Sequence, residues 1–323
     1  MINLRYHVVS LTAVFLALAI GVAMGTGFLN TATVDQLKRQ IRSAEGGIDD
    51  ANAENARLQA ELARATQTDE ALLEAADLLV GGRLADVPVL VLASEDIDQD
   101  SLVEARRMLA ASGADLRGTL TVTDRLRLDA GDDDQLAEIL GAEADNRPVL
   151  QSGLTTAVAG ALVEAATRTP ESEQPTPAVV QDLVEAGYLG YEAPPRVDGV
   201  EPPDESGVLA GGGLRYLVVS GPEPATPDAD FLLPVLRAMA ADGPVPVVLA
   251  SAAVGEQAEE SRTAVVGAVR DDSDLRGDIS TVDDLERLSG LLAAVWALDD
   301  LDAGIRGHYG LGDGRQSETP GGT

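Results

Sequence analysis

The feature that most constrains this chain is a long uncharged segment near its N-terminus. From Val8 to Leu29 the sequence contains no Asp, Glu, Lys or Arg, a run of 22 residues. A helix of this length spans about 33 Å, enough to cross the hydrocarbon core of a bilayer. A cleaved signal peptide is a second interpretation, because Ala23-Met24-Gly25 ends in small residues, and a buried soluble helix is a third. The length of the run favours an uncleaved transmembrane helix over residues 8–29.

The charges that flank this helix do not decide its orientation by themselves. Arg5 and the terminal amine precede it, whereas Lys38, Arg39 and Arg42 follow it closely enough to count under the positive-inside rule. The tail at residues 1–7 is short, and the chain that follows the helix is large. We therefore predict a single-pass membrane protein with a cytoplasmic N-terminus and the bulk of the chain outside the cytoplasm.

One face of the predicted membrane helix carries only small residues. They recur every four positions, at Ala13, Ala17, Gly21 and Gly25. The spacing Gly21-x-x-x-Gly25 is the one that lets two membrane helices approach closely. Small residues are common in membrane helices, so the pattern alone is a weak signal for packing between two of them.

Residues 30–80 predict a helical stalk. Its apolar residues alternate at spacings of three and four, which are the a and d positions of a coiled coil. Asn55 takes an a position, where a buried amide specifies a parallel, two-stranded register. The same heptad spacing includes Asp69, Leu72, Ala76 and Leu79. Asp69 would place a charge at an a position, which predicts a break in the coiled coil there. The predicted dimer seam consists of Val34, Leu37, Ile41, Ile48, Asn55, Leu58 and Leu62, with Ala44, Ala51 and Ala65 in the same register.

The stalk pattern has two interpretations. A parallel homodimer would continue the small-residue face of the membrane helix, whereas a helix folded back onto the soluble domain would bury the same positions within one chain. We favour the parallel homodimer, which is a structural device and implies no chemistry.

The net charge and the scarcity of metal-binding side chains limit the functions that the rest of the chain can have. The formal net charge is −31, which argues strongly against nucleic acid as a partner, because phosphate binding requires a basic face. The sequence has no cysteine, so disulfides, thiolate metal sites and cysteine nucleophiles are excluded. The soft ligands beyond the membrane helix are Met108, Met239 and His308, with no pairing in sequence. The residues themselves predict no cofactor and no metal site.

The soluble part alternates short apolar runs with amphipathic segments. A continuous apolar run at Val87–Ala93 is typical of a strand buried on both faces, and a helix follows it. This alternation predicts a Rossmann-like α/β domain with a parallel sheet covered on both faces. Its last helix is expected from Asp283 to about Asp299. The predicted parts are a first α/β half at 84–192, a Pro/Gly-rich linker at 193–213, a second half at 214–304 and a Gly-rich tail at 305–323.

No catalytic motif follows the predicted strands. Neither a phosphate-binding G-x-x-x-x-G-K-[ST] loop nor a G-x-G-x-x-G turn is present after a strand. Ser94, Ser220 and Ser251 end strands, but the domain offers a single histidine, His308, as a base. Acid clusters such as Asp132-Asp133-Asp134 are interpreted as solvated charge. The sequence predicts a protein that is not an enzyme.

Two motifs nevertheless connect the chain to a known family. Met1-Ile-Asn-Leu-Arg-Tyr-His-Val-Val-Ser-Leu and the anchor after it resemble the start of the actinobacterial MctB-like family, named for copper transport in the outer membrane. The order of anchor, stalk, α/β domain and Gly-rich tail agrees over essentially the whole chain. Further matching residues are Ile279, Ser280, Thr281, Val282, Asp283 and Asp284, followed by Tyr309, Gly310 and Gly312 within Tyr309-Gly-Leu-Gly-Asp-Gly314.

The resemblance implies copper handling at the cell envelope, with a channel proposed for the family. It also implies a link to cell separation, through a division-related protein partner in the membrane. Outer-membrane channels are barrels of alternating strands, whereas this sequence shows one apolar helix and buried-sheet strands. No copper ligand can be carried over from the family, so copper rests on resemblance alone. Two hypotheses follow: copper transport at the envelope, or a non-catalytic dimeric scaffold in cell division, cell separation and cell-wall remodelling.

Overall fold

The structure is a computed structural model that forms two compact units, Met1–Glu70 and Ala71–Thr323. It describes residues 4–128, 133–142, 146–170, 172, 174–195, 202–252 and 264–320. Within these ranges, the side chains of residues 4, 26–34, 61–63, 65–74, 77, 133 and 242 lie outside the description.

The first element is one long helix, α1, at Leu4–Val80. No proline interrupts it, and Gly46 and Gly47 are accommodated within it. Its apolar stretch Arg5–Gly25 is long enough to cross a membrane and has no buried residue. This agrees with the predicted apolar helix near the N-terminus.

The end of α1 corrects the proposed continuation of the coiled-coil register. Ala76 and Val80 are fully buried, and they pack with Leu84 into the core of the second unit. Ala76 would occupy an a position of the stalk, yet its side chain faces its own chain. A dimer seam therefore cannot include Ala76, because residues four apart share one helix face and that face is already covered.

Seven described strands build one open sheet in the second unit, in the order β3-β2-β1-β4-β5-β6-β7. All neighbours are parallel except β2 and β3. β1 and β4 are adjacent, so both halves of the sequence share this sheet. The predicted α/β class is confirmed, with an antiparallel strand at one edge. The strands are β1 Pro88–Ser94, β2 Asp115–Val122, β3 Leu189–Glu192, β4 Arg215–Ser220, β5 Val247–Ser251, β6 Ser280–Val282 and β7 His308–Tyr309.

Helices cover both faces of the sheet. Successive residues of β1 alternate between two cores, with Leu90 and Leu92 in one and Val89 and Val91 in the other. The first core lies under α3 to α7, and the second lies under α2, α8 and the end of α1. The remaining helices are α2 Gln99–Ala111, α3 Asp133–Leu140, α4 Arg147–Thr167, α5 Ala178–Glu185, α6 Leu232–Met239, α7 Ala264–Asp271 and α8 Leu288–Asp300, with 3₁₀ turns at Asp124–Arg127, Ala240–Asp242 and Leu301–Ala303.

The C-terminal region differs from the sequence expectation in two ways. The last helix begins at Leu288 rather than at Asp283, so both aspartates of the motif lie in the connection after β6. The Gly-rich tail contributes an edge strand, β7, which pairs with β6. Two residues are too few to give a strand pattern in sequence, which is why β7 was not predicted.

Candidate functional site

The two C-terminal sequence motifs meet at the edge of the sheet. β7 pairs parallel with β6, and this places Thr281 opposite His308 and Val282 opposite Tyr309. Asp283 and Asp284 follow β6 and are fully buried. Ile279 and Ser280, which lead into this edge, are buried as well. The nine predicted motif residues therefore lie in and next to the paired strands β6 and β7. The sequence alone could not show this proximity.

Asp283 holds the chain that follows β7. Its Oδ1 accepts a hydrogen bond from the backbone N–H of Leu311 at 2.6 Å, and its Oδ2 accepts one from Gly312 at 2.9 Å. Arg270 at the end of α7 donates from Nη1 to Oδ2 at 2.5 Å. A buried carboxylate is retained as a charge only when such donors surround it. Asp283 therefore connects the loop after Tyr309 to the end of β6 by hydrogen bonds.

Arg270 completes the same network from the opposite side. Its Nε donates to Thr281 Oγ1 at 2.9 Å, and its Nη2 donates to the carbonyl of Tyr309 at 2.7 Å. Nη1 also reaches the carbonyl of Asp313 at 3.0 Å. One guanidinium thus joins α7, β6, β7 and the tail, which uses the fixed fork geometry of arginine.

His308 takes part in the same network. Its Nε2 lies 3.1 Å from the carbonyl of Arg276, and its Nδ1 lies 2.9 Å from Thr281 Oγ1. Because a carbonyl only accepts, Nε2 carries the proton, and Nδ1 accepts from the Thr281 hydroxyl. Burial and then the charge of Arg270 lower the pKa of His308. The ring is neutral, and both nitrogens are engaged within the chain.

Gly310 makes the turn that brings the tail back to Asp283. Its φ is +116°, in the region that favours glycine, and a Cβ at this position would collide with Asp283 Oδ1. The glycine of the motif is therefore required by backbone geometry and by the close approach of the carboxylate.

Asp284 has a different environment from its neighbour. Its Oδ2 accepts one hydrogen bond, from Ser289 Oγ at 2.8 Å, whereas Oδ1 has no partner among the described residues. Burial raises the pKa of Asp284 to about 6, and the charges of Asp283 and Glu286 act in the same direction. Asp284 is therefore a carboxyl whose neutral form is favoured.

A second polar point lies where open α/β sheets bind ligands, at the carboxyl ends of β1 and β4, between which the strand order reverses. Ser220 Oγ contacts both carboxylate oxygens of Asp228 at 2.8 and 2.9 Å, and Ser94 Oγ accepts from the N–H of Gly221 at 3.2 Å. Burial raises the pKa of Asp228 to about 6. The cavity beside these groups measures about 10 Å³, and Thr226 helps to line it. This space is about the size of one water molecule.

The soft ligands considered from sequence are not brought together. Met108 lies in the core on one face of the sheet, and Met239 lies in the core on the other. His308 is at the sheet edge with both nitrogens engaged. Among the described residues, no group of three or more His, Asp or Glu side chains is placed to hold one metal ion. Ser94 and Ser220 take part in strand-end hydrogen bonds.

The predicted packing faces of α1 are exposed in the single chain. Leu37, Ile41, Ile48 and Leu58 are each between 47% and 59% exposed, and Asn55 is exposed beside them. The side chains of Val34 and Leu62 lie outside the described residues. On the apolar stretch, Ala13, Ala17, Gly21 and Gly25 are exposed. Homodimer and membrane-helix packing therefore stay predictions.

Arg270 is the important residue that sequence reasoning missed. It ends an ordinary amphipathic helix, where a basic residue normally interacts with the helix carboxyl end, so its sequence position gives no sign of burial. His308 was considered only as a base or metal ligand. A buried Arg that pairs with an acid elsewhere in the sequence can be recognised only when the strands that bring the two together are known.

Comparison with known proteins gives a match along the whole chain. The family described as "Copper transport outer membrane protein, MctB" matches residues 1–320. The copper transporter MctB of Mycobacterium tuberculosis (strain ATCC 25618 / H37Rv) is 28% identical over 332 residues, covering 99% of this chain and 99% of that protein. The copper transporter MctB of Mycobacterium leprae (strain TN) is 27% identical over 330 residues, with the same coverage of both chains. The resemblance of the sequence motifs is thereby confirmed, and the chain belongs to the MctB family.

Proposed function

We propose that this chain takes part in copper transport at the cell envelope as a single-pass membrane-anchored protein. The observation that carries the proposal is the family match over residues 1–320, together with relatives named copper transporters that align over 99% of their length. Copper is the cargo in this proposal, and no resident cofactor is invoked.

The exposed apolar stretch of α1 supports the anchor. Arg5–Gly25 has the length and composition of a membrane span, and none of it is buried by the rest of the chain. A second helix, α4, is also apolar enough to be considered, but Leu150, Leu154 and Leu162 of α4 are buried in the first core. We therefore propose that the N-terminal helix is the anchor, and we propose further that residues 1–7 are cytoplasmic and the α/β domain lies outside the cytoplasm.

The chemistry of the domain favours a supporting role over a copper-holding role. Cu(I) prefers thiolate, thioether and imidazole ligands. The sequence offers no thiolate, and the imidazole of His308 is used by Thr281 and Arg276. We propose that the chain acts through assembly, as a parallel homodimer along α1, rather than by binding copper within one soluble domain.

We do not propose the alternative role in cell separation. The relatives are named for copper transport. The sheet is covered by helices on both faces, so its strands do not present a lipid-facing surface.

The functional proposal is tested by complementation in a mycobacterial strain that lacks its own relative of this chain. Expression of the full chain should restore growth at an elevated copper concentration. A matched control carries Leu58→Asp in the stalk, which keeps the chain and its anchor but opposes the proposed dimer. Unchanged copper sensitivity with the well-expressed full chain would contradict the copper role.

The supporting role is tested separately by titration of the full chain in detergent. We expect no stoichiometric Cu(I) site of sub-micromolar affinity in competition with a chromophoric chelator. A His308→Gln variant is the matched control. A tight site in the native chain that disappears in this variant would overturn the view that copper is not held by the domain.

A further inference from the structure

Two adjacent aspartates at the end of β6 have opposite electrostatic situations. Asp283 accepts hydrogen bonds from Arg270, Leu311 and Gly312. Asp284 is equally buried but receives one hydrogen bond, from Ser289, and its Oδ1 has no partner among the described residues. A charge placed on Asp284 would be buried without compensation, whereas the charge on Asp283 is compensated.

Protonation is the simplest way for Asp284 to avoid an uncompensated buried charge. The charged groups that act on it are Asp283 and Glu286, which are negative, and Arg287, which is positive. Its backbone and carboxylate pack against α8 at Gly290, where a Cβ would come within 2.7 Å of Oδ1. The first turn of α8 therefore packs closely against Asp284. Burial raises the pKa of the group to about 6.

The neighbour of Asp284 is the group that holds the C-terminal tail. Besides Asp283, the tail is closed on itself by hydrogen bonds from Gly310 N–H to the carbonyl of Ser317 at 3.1 Å and from Gln316 N–H to the carbonyl of His308 at 2.7 Å. Both aspartates sit in the short connection between β6 and α8. A movement of this connection toward solvent would therefore carry Asp283 away from its donors.

We propose that the protonation state of Asp284 controls the docking of the C-terminal tail. With a neutral Asp284 the segment 308–317 is docked on β6, and ionisation of Asp284 releases it. Ionisation adds a second negative charge one residue from Asp283 in a desolvated place, where like charges repel strongly. The ionised carboxyl gains hydration only if the connection shifts outward, which weakens the hold of Asp283 on the tail. The tail is therefore docked in acid and released as Asp284 ionises.

The test is amide hydrogen exchange of residues 308–317 in the full chain, in detergent, between pH 5 and pH 8. Rates are corrected for the pH dependence of exchange in an unstructured peptide. Protection of this segment should fall by up to about tenfold between pH 5 and pH 8, because about one unit of the pKa shift lies above pH 5. Peptides from β1 and β4 should change much less.

Two variants and one control make the assignment specific. Asp284→Asn should keep the tail protected at both pH values, because its side chain cannot ionise. Ser289→Ala removes the hydrogen bond that favours the charged form, so the midpoint should move to higher pH while the transition is retained. Asp228→Asn alters another buried acid, which follows β4, two strands from β6, and should leave the transition unchanged.

The proposal is overturned by tail protection that does not depend on pH in the native chain. It is also overturned if Asp228→Asn abolishes the transition or if Ser289→Ala leaves its midpoint in place. Should Asp284→Asn fail to fold, the midpoint in Ser289→Ala decides the matter, since a purely structural serine would not shift a titration.

Discussion

Arg270 and Asp283 form an ion pair at 2.5 Å in which both side chains are essentially removed from solvent, with 1% and 0% of their surfaces exposed. Each partner also contacts the C-terminal tail, Arg270 through the carbonyl of Tyr309 and Asp283 through the N–H of Leu311. The pair is therefore the point at which the sheet edge and the tail of this MctB-family domain are joined.

Breaking this pair from one side should strongly destabilise the domain. Asp283→Asn leaves the guanidinium of Arg270 buried without its counter-charge, and loss of one partner of a buried pair costs about 3–5 kcal/mol. The free energy of unfolding, measured by chemical denaturation of the detergent-solubilised chain, reports this loss. Arg237 and Asp272 form a more exposed pair at 3.2 Å, with 54% and 20% of their side-chain surfaces exposed, and serve as a control.

For Asp272→Asn in that exposed pair we expect a loss below about 1 kcal/mol. Equal losses in the two variants would mean that the buried pair has no special role in holding the tail.

Gly310→Ala should destabilise the chain more than the same change at Gly304. Both glycines have positive φ, +116° and +72°, so an alanine is strained at either position. Only Gly310 has Asp283 Oδ1 in the place of the new Cβ, whereas the described surroundings of Gly304 leave that space open. Thermal unfolding measured by circular dichroism should therefore show the larger decrease in Tm for Gly310→Ala. A larger decrease for Gly304→Ala would contradict the assigned contact.

Asp228 makes stability depend on pH in a defined direction. Its pKa is raised from 3.8 to about 6 in the folded chain, so the folded state binds the proton more tightly than the unfolded state. The stabilisation is fully present below about pH 3.8 and is lost as the pH rises through about 6. A shift of about two units corresponds to about 3 kcal/mol at most.

Asp228→Asn removes this titration while keeping an acceptor for Ser220. The variant should thus be more stable than the native chain at pH 8 and should lose that advantage at pH 4. Denaturation midpoints at the two pH values measure the effect. A variant that is less stable at pH 8 would show that the charged carboxylate, and not the neutral acid, is favoured by the fold.

Much of the fold follows from sequence patterns, and the exceptions have physical causes. The apolar run at Val87–Ala93 predicts β1 almost residue for residue, because a strand covered on both faces needs no polar alternation. Asp283 and Asp284 look like acids at a helix start, and this misplaced the beginning of α8. Asp283 is instead bonded by Arg270 and by the tail, which are separated from it in the sequence, and Asp284 is bonded by Ser289.

The sequence identifies the residues of the C-terminal motifs but not their positions in space. A resemblance can mark Tyr309, Gly310 and Gly312, but it cannot show that they surround Asp283. Ala76 is the complementary case, since heptad spacing places it on a dimer seam and the fold buries it in its own core. Local periodicity cannot distinguish a partner chain from the protein's own domain.

The parallel dimer along α1 predicts a seven-residue rhythm of cross-linking. The chain has no cysteine, so single cysteines can be introduced without background. Residues 41, 48 and 58 should form disulfides between copies in membranes, whereas 46 and 53 should not. Burial of each large seam side chain is worth roughly 1.5–3 kcal/mol at full desolvation. A cysteine at position 76 is the internal control, because Ala76 is covered by its own domain.

Asn55→Leu should tighten association and loosen its register, since an unpaired buried amide costs about 1–3 kcal/mol. Leu58→Asp should abolish cross-linking at position 48. Cross-linking that shows no seven-residue rhythm would exclude the coiled coil.

The measurement that tests the central claim most directly is cell-associated copper in the mycobacterial strain without its own relative. Three strains are compared: one with no added chain, one with the full chain, and one in which residues 1–29 are replaced by a cleavable export signal that releases the domain. If the chain supports copper transport as an anchored envelope protein, the full chain changes copper content back to the wild-type level and the released domain does not. Equal copper content in all three strains, with both proteins present at equal amounts, would contradict the claim.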